Sequence, residues 1–160
     1  MKRLFLITVC ILVLIVLVGG VMVAQFNLSA LPEPGQRETF LATKAKHFLV
    51  RRASGSGIAQ VPTDIPASIK EGDKLFGTEC SECHGFTGRK PTDAGRWMYP
   101  RAADLGSAEV HRYSERELFW IIKHGIRLSG MPAFGNVESE EHIWNLVHFV
   151  KTLPKTDIPH

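Results

Sequence analysis

Residues 80–84 read Cys80-Ser81-Glu82-Cys83-His84, a C-x-x-C-H pattern that the sequence contains once. On the last turn of a helix this spacing sets two thiols within reach of the two vinyl groups of one haem, and it brings the adjacent His84 beneath the iron as an axial ligand. A zinc half-site needs further closely spaced ligands, whereas the third cysteine, Cys10, lies in a distant apolar run. A thioredoxin-like redox pair needs a βαβ setting, and no stretch of residues 67–160 alternates cleanly with period two. Covalent attachment of one haem is therefore the expected chemistry. It suits an exported domain with too few cysteines for a disulfide network.

Working outward, three helices are expected around the motif. Ser68 with Glu71 forms a possible capping box for a helix running to about Cys80, and Ser114 with Glu117 does the same for one ending at His124 before Gly125. Ser139 opens a third, in which Ile143, Val147 and Val150 make one stripe with Trp144 and Leu146 beside it, and Pro154 lies just past its end. Gly72, Phe76 and Trp144 are candidates for a helix crossing, because glycine lets an aromatic of the partner helix come close. Phe119, Ile121 and Ile122 read as core, with Trp120 partly exposed. The loops over 85–113 and 125–138 are too long to be idle in so small a domain and are expected to wrap a large non-protein group. The resulting fold class is all-α.

The N-terminal third has a different composition. Leu4 to Ala24 is a 21-residue stretch without a charge, preceded by Lys2 and Arg3, and it is long enough to cross a bilayer as a helix. It exceeds the ~7–15 residues of a signal-peptide apolar region, and the cleavage-like endings Met22/Ala24 and Leu28/Ala30 lack a small residue three before the cut. Residues 1–26 are therefore expected to be a retained anchor or uncleaved signal, single-pass, with the basic start on the cytoplasmic side and the remainder outside. Cys10 sits inside the apolar run rather than closing it, as a lipid-acceptor cysteine would, and reads as a cysteine within the membrane. Residues 27–66 form a linker rich in Pro, Gly and Ser, interrupted at 37–52 by RETFLATKAKHFLVRR, a basic amphipathic helix. That helix either packs on the folded domain or lies on anionic lipid headgroups.

Gly72-Asp73-Lys74-Leu75-Phe76 before CSECHG, Ser129-Gly130-Met131-Pro132-Ala133-Phe134-Gly135 after it, and the closing Trp144 helix make residues 67–154 resemble a class I c-type cytochrome. More loosely, the front end resembles membrane-anchored monohaem bacterial cytochromes. The resemblance implies a small helical domain, 67–160, wrapped around one covalent haem c. It further implies that Cys80 and Cys83 hold the haem, that His84 is the proximal iron ligand and that Met131 is the distal one.

The same assignment of Met131 is chemically reasonable. A thioether is soft and neutral, and relative to a second histidine it raises the potential of an iron that stays six-coordinate. Gly130 permits close approach of the backbone and Pro132 stiffens the loop. Met98, His111, His124, His142 and His148 are the alternatives. For the second ring nitrogen of His84 the family supplies a carbonyl from a Pro-x-Leu segment. The matching residues here are Ala103-Asp104-Leu105, with Ala103 in place of proline, Pro100 as the fallback and Leu105 covering one haem face. Arg96, Trp97, Tyr99 and Arg101 are candidate donors to the haem propionates, without a choice among the four.

Composition removes other classes. The chain has 160 residues, 44% of them apolar, and a net charge of +3; without Lys2 and Arg3 the balance is 17 basic to 16 acidic, which offers no field for nucleic acid. Residues 67–160 hold 12 basic and 13 acidic side chains, so no strongly basic docking face is indicated. The expected function is a carrier of single electrons between respiratory redox partners at the outer, periplasmic side of a bacterial cytoplasmic membrane, not an enzyme. The alternative is a haem c relay subunit of a larger membrane oxidoreductase. A haem enzyme or gas sensor needs an open iron position, against which Met131 argues. Mass spectrometry of the mature protein is expected to find the segment 4–24 still attached; a chain starting after Ala24 or Ala30 would make that segment a cleaved signal.

Overall fold

The structure is a computed structural model that describes residues 2–25, 29–55 and 61–155. Among the described residues every regular element is helical. Helix α1 (Lys2–Ala24) has none of its residues buried, and at 1.5 Å per residue its length matches a bilayer core of about 30 Å. Helix α2 (Gln36–Ala53) extends the expected basic helix by a residue at each end.

Helix α3 (Ile65–Leu75) begins earlier than its sequence signal suggested. Asp64 is its cap, accepting from the Ala67 amide at 3.1 Å, with Pro66 in the first turn. Ser68 does not cap. It lies inside the helix, buried, with its hydroxyl 2.5 Å from Asn145 Oδ1 and 2.7 Å from His148 Nδ1. A hydroxyl has one proton, so the arrangement that satisfies all three groups has Ser68 donating to Asn145 and accepting from the His148 ring. Glu71 pairs instead with Lys74 at 2.7 Å.

The chain then continues without a loop through a wide π turn, Phe76–Cys80, into α4 (Ser81–His84), which stops at Gly85 with φ 76°. Such a turn inserts one residue into the helix, shifting everything after it by one position around the axis. Short helices α5 (Asp93–Trp97) and α6 (Ala108–His111) occupy the first long loop. Helix α7 (Glu115–His124) carries the full Ser114/Glu117 capping box and ends at Gly125, φ 65°. A 3-10 turn, Phe134–Asn136, lies in the second loop, and α8 (Glu140–Thr152) starts on its cap Ser139.

The core lies where α3 and α7 meet α8, around the fully buried Phe76, Ile143, Trp144, Leu146 and Val147. A Cβ on Gly72 would stand 2.0 Å from the Asn145 carbonyl oxygen and 2.9 Å from Phe149 Cβ, so the α3–α8 crossing is closer than any side chain permits. Phe76 packs on Phe149, with ring centroids 5.1 Å apart. Trp144 does not face Gly72; it stacks on Phe119 of α7 at 4.7 Å. Trp120 is partly buried.

Of the two placements open for α2, packing on the domain is observed. Val50 is buried in the core, the His47 ring stacks on Tyr113 at 4.1 Å, and Lys46 pairs with Glu109 at 2.8 Å.

Gly72→Ala is expected to destabilise the domain by about 1–3 kcal/mol, because the new methyl meets backbone rather than a movable side chain. Thermal melting should register this as a fall of roughly 4–8 °C per kcal/mol. Gly77→Ala, with nothing within 4 Å of the added carbon, should leave the midpoint unchanged or raise it.

Candidate haem site

The CSECH segment hangs from α3 by the π turn, so its position is set by the α3–α8 crossing. Cys80 is partly buried against the core, and Cys80 and Cys83 are both free thiols. Burial, with Glu79 and Cys83 beside it, pushes the Cys80 thiol up to about 12. No group of three or more His, Cys, Asp or Glu suited to a metal ion exists among the described residues, so the further ligands that a zinc site needs do not gather around the pair there.

His84 Nδ1 lies 2.9 Å from the Ala103 carbonyl oxygen. A carbonyl only accepts, so Nδ1 carries the proton and Nε2 keeps its lone pair for a metal. Burial holds the imidazole below its ordinary range, outweighing the opposite pull of the Ala103 carbonyl. The ring is thus neutral and oriented, with Nε2 left free to coordinate.

Backbone contacts explain how Ala103 reaches this place without a proline. Gly95 of α5 lies so close to α4 that a Cβ there would be 2.1 Å from the Cys83 carbonyl oxygen. Thr92 reinforces the approach: its amide donates to the same Cys83 carbonyl at 3.1 Å and its hydroxyl to the Glu82 carbonyl. The Ala102 amide then donates to Gly95 O at 2.9 Å, and the Leu105 amide to Gly88 O at 2.7 Å. Ala103 is pinned on both sides by these bonds, with Leu105 packed against the core. Thr92 and Gly95 escaped the sequence reading; a Thr-x-x-Gly is too common to signal a clamp.

The four candidate propionate donors diverge. Arg96 pairs with Asp93 inside α5 and also reaches the Pro91 carbonyl. The Tyr99 hydroxyl donates to Glu38 of α2, and Arg101 pairs with Glu33 at 2.6 Å. Trp97 is exposed and its indole makes no side-chain hydrogen bond among the described residues. Nothing in the sequence links residues 33 and 38 to 101 and 99.

Met131 is partly buried against the core, its amide donating to Ser129 Oγ at 3.2 Å and its carbonyl accepting from Ile126 at 3.3 Å. Met98 lies against the same loop: a Cβ on Gly130 would stand 2.4 Å from its sulfur. Both sulfurs considered as iron ligands therefore belong to one neighbourhood. Of the histidines, His148 bonds to Ser68, His142 to Glu138 at 2.7 Å, and His124 lies against Trp120, whereas the buried Nε2 of His111 has no hydrogen-bond partner among the described residues.

Four large apolar side chains, Phe86, Trp97, Leu128 and Val137, are exposed, all in segments that follow the CSECH turn. Two thiols, a neutral imidazole with a free Nε2, a soft sulfur on a constrained loop and uncovered apolar side chains form a donor set that fits haem c.

A family model described as cytochrome c oxidase, cbb3-type, subunit III matches residues 67–150. Over 50 residues the chain is 40% identical to a thiosulfate dehydrogenase of Psychrobacter arcticus, a stretch that covers 31% of this chain and 15% of that protein. The chain thus spans only a small part of this curated relative. Among solved structures, the reducing HAO-like protein complex of Kuenenia stuttgartiensis contains a chain of similar fold, with TM-score 0.53 and 21% identity over 64% of this chain and 49% of that one. Cytochrome cL of Methylophaga aminisulfidivorans is 23% identical, with TM-score 0.46 over 80% and 72% of the two chains. Since the family match begins in α3, takes in the CSECH turn, ends in α8 and covers more than half of the sequence, the chain belongs to this cytochrome c family, with the fold of a class I c-type cytochrome.

Proposed function

We propose that this protein is a membrane-anchored monohaem cytochrome that passes single electrons between redox partners on the periplasmic side of a bacterial cytoplasmic membrane. Membership of the family implies covalently bound haem c, and the single C-x-x-C-H supports one haem per chain. In this reading residues 1–26 anchor the chain, 27–66 link, and 67–160 hold the haem. The observation that carries the proposal is the His84–Ala103 hydrogen bond, which leaves Nε2 of a neutral imidazole available beside two thiols.

The iron of the bound haem supplies a one-electron couple, and no bond in a substrate need be made or broken. The chain's own residues do the rest. Cys80 and Cys83 would fix the group to the turn below α3. His84, its orientation held by Ala103, would offer Nε2 to the iron. Met131, on the loop that Gly130 and Pro132 constrain, would offer a soft sulfur, which favours the reduced state. Leu105, packed against the core, would line the group. Of Arg96, Trp97, Tyr99 and Arg101 as propionate donors, Trp97 is favoured, because the other three already meet an acid.

The family's description as an oxidase subunit supports a second reading, a fixed relay within a larger membrane oxidoreductase. Purification in mild detergent separates the two: a carrier runs near the mass of one chain in its micelle, a relay with its partners.

A denaturing gel stained for haem should show a band for the wild type, and Cys83→Ser should weaken or abolish it. Haem fully extractable by acid acetone from the wild type would contradict covalent attachment.

Oxidised wild type should show the weak near-infrared sulfur-to-iron charge-transfer band. Met131→Ala should lose it, lower the midpoint potential and open the iron to small ligands, whereas Met98→Ala should keep it. The converse pattern, the band surviving in Met131→Ala and vanishing in Met98→Ala, would transfer the role to Met98.

A further inference from the structure

Helix α2 packs on the haem domain mainly through one side, with Glu38 at the edge reaching Tyr99. His47 and Val50 lie on that side, together with Lys46, whose ammonium is taken by Glu109. At 100° per residue the opposite side carries Arg37, Leu41, Lys44, Phe48 and Arg52. Leu41 and Phe48 are 65% and 66% exposed, although both are large and apolar.

Charge on this outward side has one sign. Glu38 is the single acid of α2, and it accepts from Tyr99. Arg37, Lys44, Arg51 and Arg52 form no ion pair among the described residues. Lys44 lies over the Phe40 ring, 5.6 Å from its centroid. Exposed leucine and phenylalanine flanked by unpaired cations are what an interfacial helix presents to a bilayer, where the rings enter the acyl boundary and the cations meet headgroup phosphates.

Chain length supplies a second, independent constraint. Eleven residues separate the end of α1 at Ala24 from the start of α2 at Gln36, and fully extended they reach about 40 Å. With α1 in the bilayer, the start of α2 therefore stays within about 40 Å of the membrane end of α1. Attraction between basic side chains and anionic lipid extends over about 8–10 Å, and a tether of this length returns the helix to that zone repeatedly, so a weak surface affinity suffices to keep it there.

We infer that α2 is a two-sided clamp, one side packed on the haem domain and the other, Arg37, Leu41, Lys44, Phe48 and Arg52, lying on an anionic lipid surface. The clamp fixes which way the haem domain faces relative to the membrane plane, instead of leaving it to swing on a flexible tether. The inference rests on α1 being retained in the membrane, and the test reads that condition separately.

The experiment uses the full haem-loaded chain in nanodiscs, with Cys10→Ser and one added thiol, either Phe48→Cys or Asp73→Cys on the exposed side of α3; Cys80 and Cys83 are consumed by the haem. Labelling by a neutral polyethylene-glycol maleimide reports access from water. In discs containing phosphatidylglycerol, position 48 should label at least several-fold more slowly than in phosphatidylcholine discs, while position 73 labels equally in both. Adding Lys44→Gln and Arg52→Gln should restore fast labelling, each lost charge weakening surface association roughly fivefold. An unchanged optical spectrum shows that the variants remain folded, and recovery of the chain with the discs reports α1 by itself. Fast labelling at position 48 in anionic discs would overturn the inference. So would protection that develops in detergent micelles as protein concentration rises, which would assign this side of α2 to a second copy of the chain.

Discussion

The contact on which the rest of the domain depends is the crossing of α3 and α8 at Gly72, where the Asn145 carbonyl occupies the space a side chain would need. Contacts on both sides of that point lock the pair. Ser68 joins Asn145 and His148 in one buried hydrogen-bonded group, and Phe76 packs on Phe149. Each buried polar atom in the first group needs a partner, so the two helices have one register in which all three are satisfied. Because CSECH continues α3 through a π turn and not through a loop, the same register fixes where the two thiols and His84 stand.

From that fixed turn the opposite wall of the site is assembled by main-chain contacts. Gly95 accepts the Cys83 carbonyl into the space of a missing Cβ, Ala102 bonds to Gly95, and Ala103 is thereby delivered to His84. Proline stiffens a backbone by fixing φ, and two flanking hydrogen bonds achieve a comparable restraint here. This is the physical reason Ala103 can stand where the family has proline: the atom that matters is a carbonyl oxygen, which every residue possesses.

What was legible in the sequence was what is local. The C-x-x-C-H turn, the Ser114/Glu117 capping box and the Ser139 cap each depend on residues within one helical turn of each other, and all three appear at those positions. Ser68 and Glu71 carry an equally good local signal, yet Ser68 faces α8, because a serine's hydroxyl serves a cap and a buried network equally well and Asp64 with Pro66 offers an earlier start. Trp144 was expected against Gly72, but helical spacing gives a stripe without saying which neighbour each member meets, and Trp144 meets Phe119. The ties of Glu38 to Tyr99, Lys46 to Glu109 and His47 to Tyr113 join positions about sixty residues apart, for which no pattern in the sequence exists. At the candidate site the C-x-x-C-H turn and the Ala103 carbonyl facing His84 were readable, whereas Thr92 and Gly95 act through main-chain geometry that leaves no compositional trace.

Periodicity presented α2 with two placements as if they excluded each other, and the wheel of the helix shows why they do not. Val50 and the pair Leu41/Phe48 lie on opposite sides, so a single apolar stripe does not exist to be spent on one partner. The attachment to the domain is small. Lys46–Glu109 is about one-third exposed and such pairs contribute roughly 0–1 kcal/mol, a buried valine contributes about 1.5–3 kcal/mol, and the ring stack adds about 0.5–1.5 kcal/mol. Val50 and His47 therefore hold the helix and the ion pair only orients it. An attachment of a few kcal/mol made by one side of an 18-residue helix leaves Leu41 and Phe48 on the other side without cover, and it is their combination with cations that no acid pairs, rather than either feature alone, that suits the inferred lipid surface.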